Sequence, residues 1–321
     1  MGCKPYRVKQ VLAWIYNKKI NTIEEMTNLS KELREDIQKE FYISGLILLQ
    51  ELVSQDGTRK YLFELEDKQK IESVLMPDDK RLTLCVSTQV GCKFNCSFCY
   101  TGKAGFTRNL TAGEIVSQII NISQQDKKIT NVVFMGMGEP LDNYENVIKA
   151  VKIISSPWGL GISAAKITLS TCGLLPGLKR LKDENLNVNL AISLNASDNK
   201  VRSRLMPVNK KYPLEEVLKA CREYPPKPRQ RITFEYVLIK DVNDSEKDAK
   251  QLADLLKGIK CKINLLPFNK RPDDKIPYDA TAQNNVNNFH EYLISRKFSV
   301  FMRKQRGIDI SASCGQLTAQ V

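Results

Sequence analysis

From Thr83 onward, short apolar runs alternate with longer helical stretches. The runs TLCVS, NVVFM, KITLS, VNLAIS, RITFEYVLI and KINLLP read as strands. Helices are expected between them, at residues 112–125, 143–155, 175–185, 213–224 and 244–257. Thr111 and Glu114 have capping-box spacing at the start of the first of these. Strands that alternate with helices build a parallel sheet with right-handed crossovers. Six units fall short of the eight that close a full barrel, so the expected fold is α/β, an open, partial (β/α)6 barrel.

The chain before Thr83 has two other characters. Residues 1–46 read as a small helical domain, with a basic amphipathic stretch from Pro5 to Asn17, a second from Thr22 to Met26, and a third from Ser30 to Phe41 with Ser30 as N-cap. Residues 47–77 alternate apolar and polar positions around turns at Asp56-Gly57 and Asp67-Lys68, which predicts a β-meander linker. The barrel then occupies residues 78–321.

The chemistry falls at strand ends. Cys92, Cys96 and Cys99 follow the first barrel strand, and Gly136-Met137-Gly138-Glu139 follows the second. Ser170 closes the third, Ser193 and Asn195 end the fourth, Asn269 follows the sixth, and Cys314 follows the last strand-like run, FSVFMRK. The carboxyl ends of parallel strands are where such folds place active sites. A Cys-x3-Cys-x2-Cys run holds three irons of a four-iron, four-sulfur cluster and leaves the fourth open. An open iron can chelate S-adenosylmethionine and pass an electron to its sulfonium, releasing a radical that abstracts hydrogen from unreactive carbon. Phe98 suits a loop that wraps a cluster edge. The competing reading is a structural zinc site with Cys85 as fourth thiolate in an RNA-binding module, although zinc knuckles usually pair Cys-x2-Cys units or add histidines.

Gly138 permits close backbone approach to a ligand, and Glu139 offers a carboxylate to an ammonium or a ribose. Ser170, Ser193, Asn195 and Asn269 can hydrogen-bond a nucleoside, or merely cap their strands. Cys85 lies within a strand, where a lone cysteine usually packs as a small hydrophobe. Cys314 lies in the polar loop SASCGQL, which suits a reactive thiol. Cys3, Cys172, Cys221 and Cys261 show no comparable context and are read as structural. His290, the sole histidine, falls on a helix, so serine–histidine triads and histidine metal sites are disfavoured.

Composition narrows the partners. Lysine and arginine number 49 against 36 acids, a formal charge of +13. The excess is concentrated: residues 198–231 hold ten basic side chains against four acids, and residues 296–306 hold five with none. Such clusters suit contacts with a nucleic-acid backbone. Nine cysteines, an odd number with three clustered, fit a reducing cytoplasm, and no apolar run reaches membrane-spanning length. The N-terminus MGCKPYRVKQ lacks a signal-peptide core, so a cytoplasmic protein without membrane partners is expected.

PYRVKQVLAWIY, CVSTQVGCKFNCSFC, FMGMGEPL, RLMPVNKKYPLEEV, KINLLPFN and RGIDISASCGQL together resemble the radical-SAM RNA methyltransferases of the RlmN and Cfr type. Gly138-Glu139-Pro140 and LLPFN, with Pro267, look like the RlmN branch, whereas the Cfr branch methylates C8 and tends to have alanine where Pro140 stands. The resemblance implies a radical-SAM barrel that methylates C2 of adenosine 2503 in 23S rRNA and of adenosine 37 in certain tRNAs. It implies two S-adenosylmethionines per turnover, an electron donor such as flavodoxin, and a monomer. It makes Cys314 the S-methylcysteine intermediate, Cys85 the resolving thiol that forms a transient disulfide with it, and Glu72 the proton acceptor. From its own context Glu72 reads as a solvated carboxylate at a strand end. Gly138, Glu139, Ser170, Ser193, Leu194, Asn195 and Asn269 align with the S-adenosylmethionine contacts, and Cys92, Cys96 and Cys99 with the cluster ligands. Two positions depart from the family pattern. Asn195 stands where histidine is usual, and Tyr100 follows the last cluster cysteine where a small residue is common, so its ring either shields or crowds the cluster.

Overall fold

The computed structural model describes residues 4–43, 45–124, 128–224, 230–271 and 276–319. Cys3, Lys227 and Arg229 lie outside them. At the N-terminus, α1 (Pro5–Ala13) continues into a wider helical turn over Trp14–Lys18. The expected helix at Thr22 is a single tight turn, Ile23–Glu25, and α2 spans Lys31–Glu40 with the Ser30 hydroxyl accepting from Leu33 N–H. Met26, Leu29 and Ile37 close a small separate core there.

The meander forms as β1 (Ile47–Val53), β2 (Arg59–Glu64) and β3 (Lys70–Asp78). Gly57, at φ 81°, makes the turn after Asp56, whose carboxylate accepts from Thr58 N–H. The strands pair antiparallel with one another, and β3 pairs antiparallel with β4 (Arg81–Cys85), so the meander continues the main sheet. A short hairpin, β5 (Gln89–Gly91) and β6 (Phe106–Asn109), carries the three-cysteine loop and the one-turn α3 (Tyr100–Lys103).

Beyond it the units follow in order: α4 (Ala112–Ser123), β7 (Asn131–Phe134), α5 (Tyr144–Ser155), β8 (Ile167–Thr171), α6 (Leu175–Asp183) and β9 (Asn189–Ser193). Then come α7 (Asn199–Leu205), α8 (Leu214–Glu223), β10 (Ile232–Leu238), α9 (Glu246–Leu256), β11 (Cys261–Pro267), α10 (Gln283–Ser295) and the short β12 (Val300–Met302). The capping box at α4 is present: Glu114 N–H donates to the Thr111 hydroxyl, and Glu114 accepts from Thr111 N–H. All neighbours from β4 through β12 pair in parallel, in the order β4-β7-β8-β9-β10-β11-β12. Six strand–helix units thus precede a closing strand, with β1 and β12 at opposite edges of one ten-stranded sheet.

Alternation sets the two faces. On β10, Phe234 and Tyr236 are fully buried under the helices, while Glu235 and Val237 turn inward. The sheet curls far enough for Val74 and Met76 of β3 to share a cavity with Leu266 of β11. Arg306, just beyond β12, reaches Asp78 at the end of β3 at 2.9 Å, bridging the open side. Cys221 and Cys261 pack in the main core as expected, and no described helix is long and apolar enough to cross a membrane.

Candidate active site

The cysteine loop is held from several directions. Gly91 has φ 75°, and a Cβ there would lie 1.9 Å from Gly105 O, so only glycine lets the hairpin close. Cys92 N–H donates to that same carbonyl at 2.7 Å, Cys99 N–H to Cys96 O at 3.0 Å, and Ser97 N–H to Leu205 O at the end of α7 at 2.8 Å. All three thiols open on one cavity of about 170 Å³, together with Phe94 and Phe98. Burial pushes Cys92 up to about 12 and Cys96 well above the usual thiol range, with neighbouring thiols adding to both shifts. Three soft donors in a desolvated pocket fit an iron–sulfur cluster, whose charge would hold them as thiolates. Cys85, the fourth thiolate of the zinc reading, does not line this cavity.

Cys85 belongs elsewhere. It ends β4, faces an adjoining cavity of about 90 Å³, and shares that cavity with Cys314 and Arg303. Burial and the nearby Cys314 push its thiol up to about 12, against the pull of Arg303. Cys314 is exposed and lines both cavities, as does Arg303. Gly315 follows Cys314 at φ 83°, and its carbonyl accepts from Tyr100 N–H at 2.8 Å, immediately after Cys99. The Thr101 hydroxyl donates to Leu317 O at 2.6 Å. The cysteine loop and the Cys314 loop are therefore bonded directly to each other.

The strand-end residues divide. Gly138, Glu139, Ser170, Ser193, Asn195 and Asn269 all line the larger cavity. Gly138, at φ 99°, leaves no room for a side chain because Gln89 Cβ stands 2.6 Å from where one would begin. The Glu139 oxygens accept from Leu141 N–H at 3.0 Å and Cys172 N–H at 2.7 Å, and burial raises its carboxyl despite these bonds. Leu194 lines neither cavity: its side chain is buried, its N–H donates to Glu235 O, and its carbonyl accepts from Arg202. Asn195 adopts a left-handed conformation at φ 56°, and its side-chain oxygen accepts from Val237 N–H at 2.9 Å, a ligand-independent reason for asparagine here.

Two expectations change with the fold. Glu72 is buried within β3 rather than solvated, with Lys60 at 3.1 Å. Its carboxylate also accepts from Thr318 and Ala319 N–H at 2.8 and 3.0 Å, and it lines neither cavity. Tyr100 also stays out of both cavities and packs beside Phe268 and Leu205, where its hydroxyl accepts from Arg271 N–H. Cys172, read as structural, lines the larger cavity beside Glu139; its polar strand-end context was the available signal.

The basic clusters also sort. Lys200, Arg204, Lys210 and Lys211 are exposed, whereas Arg202 is fully buried. Its guanidinium donates to Cys172 O, Leu194 O and Ser193 O and to Asn209 Oδ1, tying the ends of β8 and β9 to α7. In the second cluster Arg296, Arg303 and Arg306 face Asp254, Glu235 and Asp78.

Comparison with known proteins decides the family. Residues 86–253 match the radical SAM superfamily model, and residues 1–43 match the N-terminal domain of ribosomal RNA large-subunit methyltransferases. A dual-specificity RNA methyltransferase RlmN of Syntrophotalea carbinolica is 48% identical, aligned over 100% of this chain and 86% of its own length. The chain belongs to the RlmN family of radical SAM methyltransferases. A second RlmN, from Geobacter sulfurreducens, is 47% identical over 100% of this chain and 88% of its own. The crystal structure of a radical SAM methyltransferase from Sphaerobacter thermophilus superposes with a TM-score of 0.93 at 43% identity, covering 99% of this chain and 94% of that one. Membership in the RlmN family makes the chain an RNA-methylating enzyme and implies an iron–sulfur cluster and S-adenosylmethionine as cofactors.

Proposed function

We propose that this enzyme methylates C2 of adenosine 2503 in 23S rRNA and of adenosine 37 in tRNAs, with Cys314 as methyl carrier and Cys85 as resolving thiol. The observation that carries this reading is the shared cavity of Cys85, Cys314 and Arg303, stitched to the cysteine loop through Tyr100 and Gly315. Cys92, Cys96 and Cys99 would hold the cluster, and Gly138, Glu139, Ser170, Ser193 and Asn269 would line the site of S-adenosylmethionine. When bound, these groups supply a methyl donor and, with one electron from a donor such as flavodoxin, a hydrogen-abstracting radical.

The thiol of Cys314 loses its proton, and its sulfur takes the methyl group of one S-adenosylmethionine as S-adenosylhomocysteine leaves. That S-methyl group gives up a hydrogen atom, and its carbon bonds to C2 of the adenine, joining RNA to the chain. The adduct would give up one electron, which the cluster can accept, and lose the C2 proton to a base. The Cys85 thiolate then bonds to the sulfur of Cys314 as its bond to the carbon breaks, the freed carbon takes a proton to become the methyl group, and an external dithiol reduces the disulfide. Arg303 lines the cavity of both thiols and pulls against the burial that raises the Cys85 thiol, and Cys314 is the largest contributor to the raised basicity of Arg303. Proton acceptance by Glu72 would require Lys60 or the Thr318–Ala319 segment to release its carboxylate; in place, Glu72 secures the chain behind Cys314. The exposed Lys200, Arg204, Lys210 and Lys211 provide phosphate contacts. A monomer in the cytoplasm completes the reading. Mass spectrometry of RNA incubated with the reduced enzyme tests it: 2-methyladenosine supports it, and 8-methyladenosine or no product refutes it.

A further inference from the structure

Glu235 is the acid of the larger cavity that the reaction above leaves unused. It lies at mid-strand on β10, in register with Ser193 of β9, and is 7% exposed. One oxygen, Oε1, accepts from Asn264 Nδ2 at 2.9 Å. The other, Oε2, is buried and has no hydrogen-bond partner among the described residues. Arg303 Nη1 stands 3.7 Å away, close enough for attraction but beyond a hydrogen bond. Glu139, the other cavity acid, already has a backbone donor on each oxygen. A buried carboxylate oxygen without a donor is costly, and few persist in folded proteins without a reason. Here the oxygen belongs to a residue that lines a cavity shared with the three cysteines and Cys314.

We infer that Glu235 is a further cosubstrate-binding residue, whose free oxygen accepts a hydrogen bond from a hydroxyl or ammonium group of S-adenosylmethionine. The inference rests on the reading that this cavity takes S-adenosylmethionine. Glu235 supplies a second carboxylate acceptor to the cavity, on the strand after the one that ends at Ser193. Asn264 holds its other oxygen, so the carboxylate is oriented before the ligand arrives. Arg303, at 3.7 Å, leaves the vacant position unoccupied.

Equilibrium dialysis of the cluster-loaded protein, under nitrogen and without reductant, provides the test. The probes are labelled S-adenosylmethionine and 5′-methylthioadenosine, which lacks the amino-acid portion. Glu235→Ala should weaken S-adenosylmethionine binding roughly ten- to hundredfold, and Glu235→Gln less, because its amide oxygen still accepts. Equal loss for both probes assigns the donor to the nucleoside, and loss for S-adenosylmethionine alone assigns the contact to its cationic methionine portion. Iron content should match wild type in both variants. Affinity within about twofold of wild type in Glu235→Ala, or in Glu235→Leu should the alanine variant not fold, overturns the inference. So does full recovery in Glu235→Gln, Arg303→Gln, which would reduce Glu235 to a counter-charge for Arg303. Failure of the wild-type protein itself to bind S-adenosylmethionine would instead refute the underlying reading.

Discussion

Replacing Arg202 with methionine separates a buried brace from a nucleic-acid contact. By position in the sequence Arg202 belongs to the basic run that ends at Arg231; by structure it is fully buried. Methionine keeps the length and apolar bulk of the stem but removes donors to Cys172 O at 2.7 Å, Asn209 Oδ1 at 2.8 Å and Leu194 O at 3.1 Å. Each buried acceptor left without its donor costs on the order of 1–2 kcal/mol, partly offset because a guanidinium no longer has to be desolvated. The net loss should be about 3 kcal/mol, a sizeable part of a typical domain's stability. Asn209 stays in place through its amide bonds to Asn199 and Ser203, so the damage should concentrate at the ends of β8 and β9. Urea titration of the reduced, cluster-free protein, followed by circular dichroism, should show a clearly lowered midpoint. RNA binding by the residual folded protein should keep the wild-type salt dependence. Lys210→Glu, Lys211→Glu should do the reverse, leaving the urea midpoint unchanged while lowering RNA affinity and flattening its salt slope. An unchanged midpoint with a flattened slope in Arg202→Met would refute the assignment.

Three further outcomes are expected. Replacing Cys92, Cys96 and Cys99 together with alanine should abolish iron binding after anaerobic reconstitution, by iron assay and by loss of the brown colour; undiminished iron would remove the cluster from this loop. Cys85→Ala should leave RNA covalently attached through Cys314, visible as a nuclease-sensitive slow band on a denaturing gel, while Cys85→Ala, Cys314→Ala carries none; normal release of methylated RNA by the single variant would eliminate the two-thiol scheme. Gly91→Ala forces a Cβ against the Gly105 carbonyl, so the hairpin must open, and both iron content and urea midpoint should fall.

The strand–helix alternation after Thr83 was readable because each buried strand is a short apolar run and because α4 and α9 open on capping boxes. Helix boundaries fell within a few residues, as at 175–185 against Leu175–Asp183. What the pattern hid was short or bridging. The β5–β6 hairpin has only three residues in one strand and lacks a hydrophobic period, and α7 has only seven residues. The cysteine spacing and the glycine turn at Gly138 were legible because backbone geometry and metal chemistry restrict residue type locally. Glu72, Arg202 and Glu235 were not, because a charged side chain on a strand or helix reads as solvated until its partners from elsewhere in the chain are known. Within the basic clusters Arg303 and Arg306 were hidden for the same reason, since the acids opposite them are distant in sequence.

The bonds that join the cysteine loop to the C-terminal segment imply an order of events. Thr101 and Leu317 are separated by 216 positions, so this closure carries the loop-entropy penalty of nearly the whole barrel. Contacts of such separation form late relative to hairpins and neighbouring strands. During folding the hairpin with its three thiols can be in place while the Cys314 segment is still undocked. In that interval the pocket is open on the side later shut by Gly315 and Leu317, and metal delivery meets less obstruction than in the finished enzyme. Loading of the cysteine loop and completion of the active site are thus separable steps, with the segment from Cys314 to Leu317 as the part that closes the pocket.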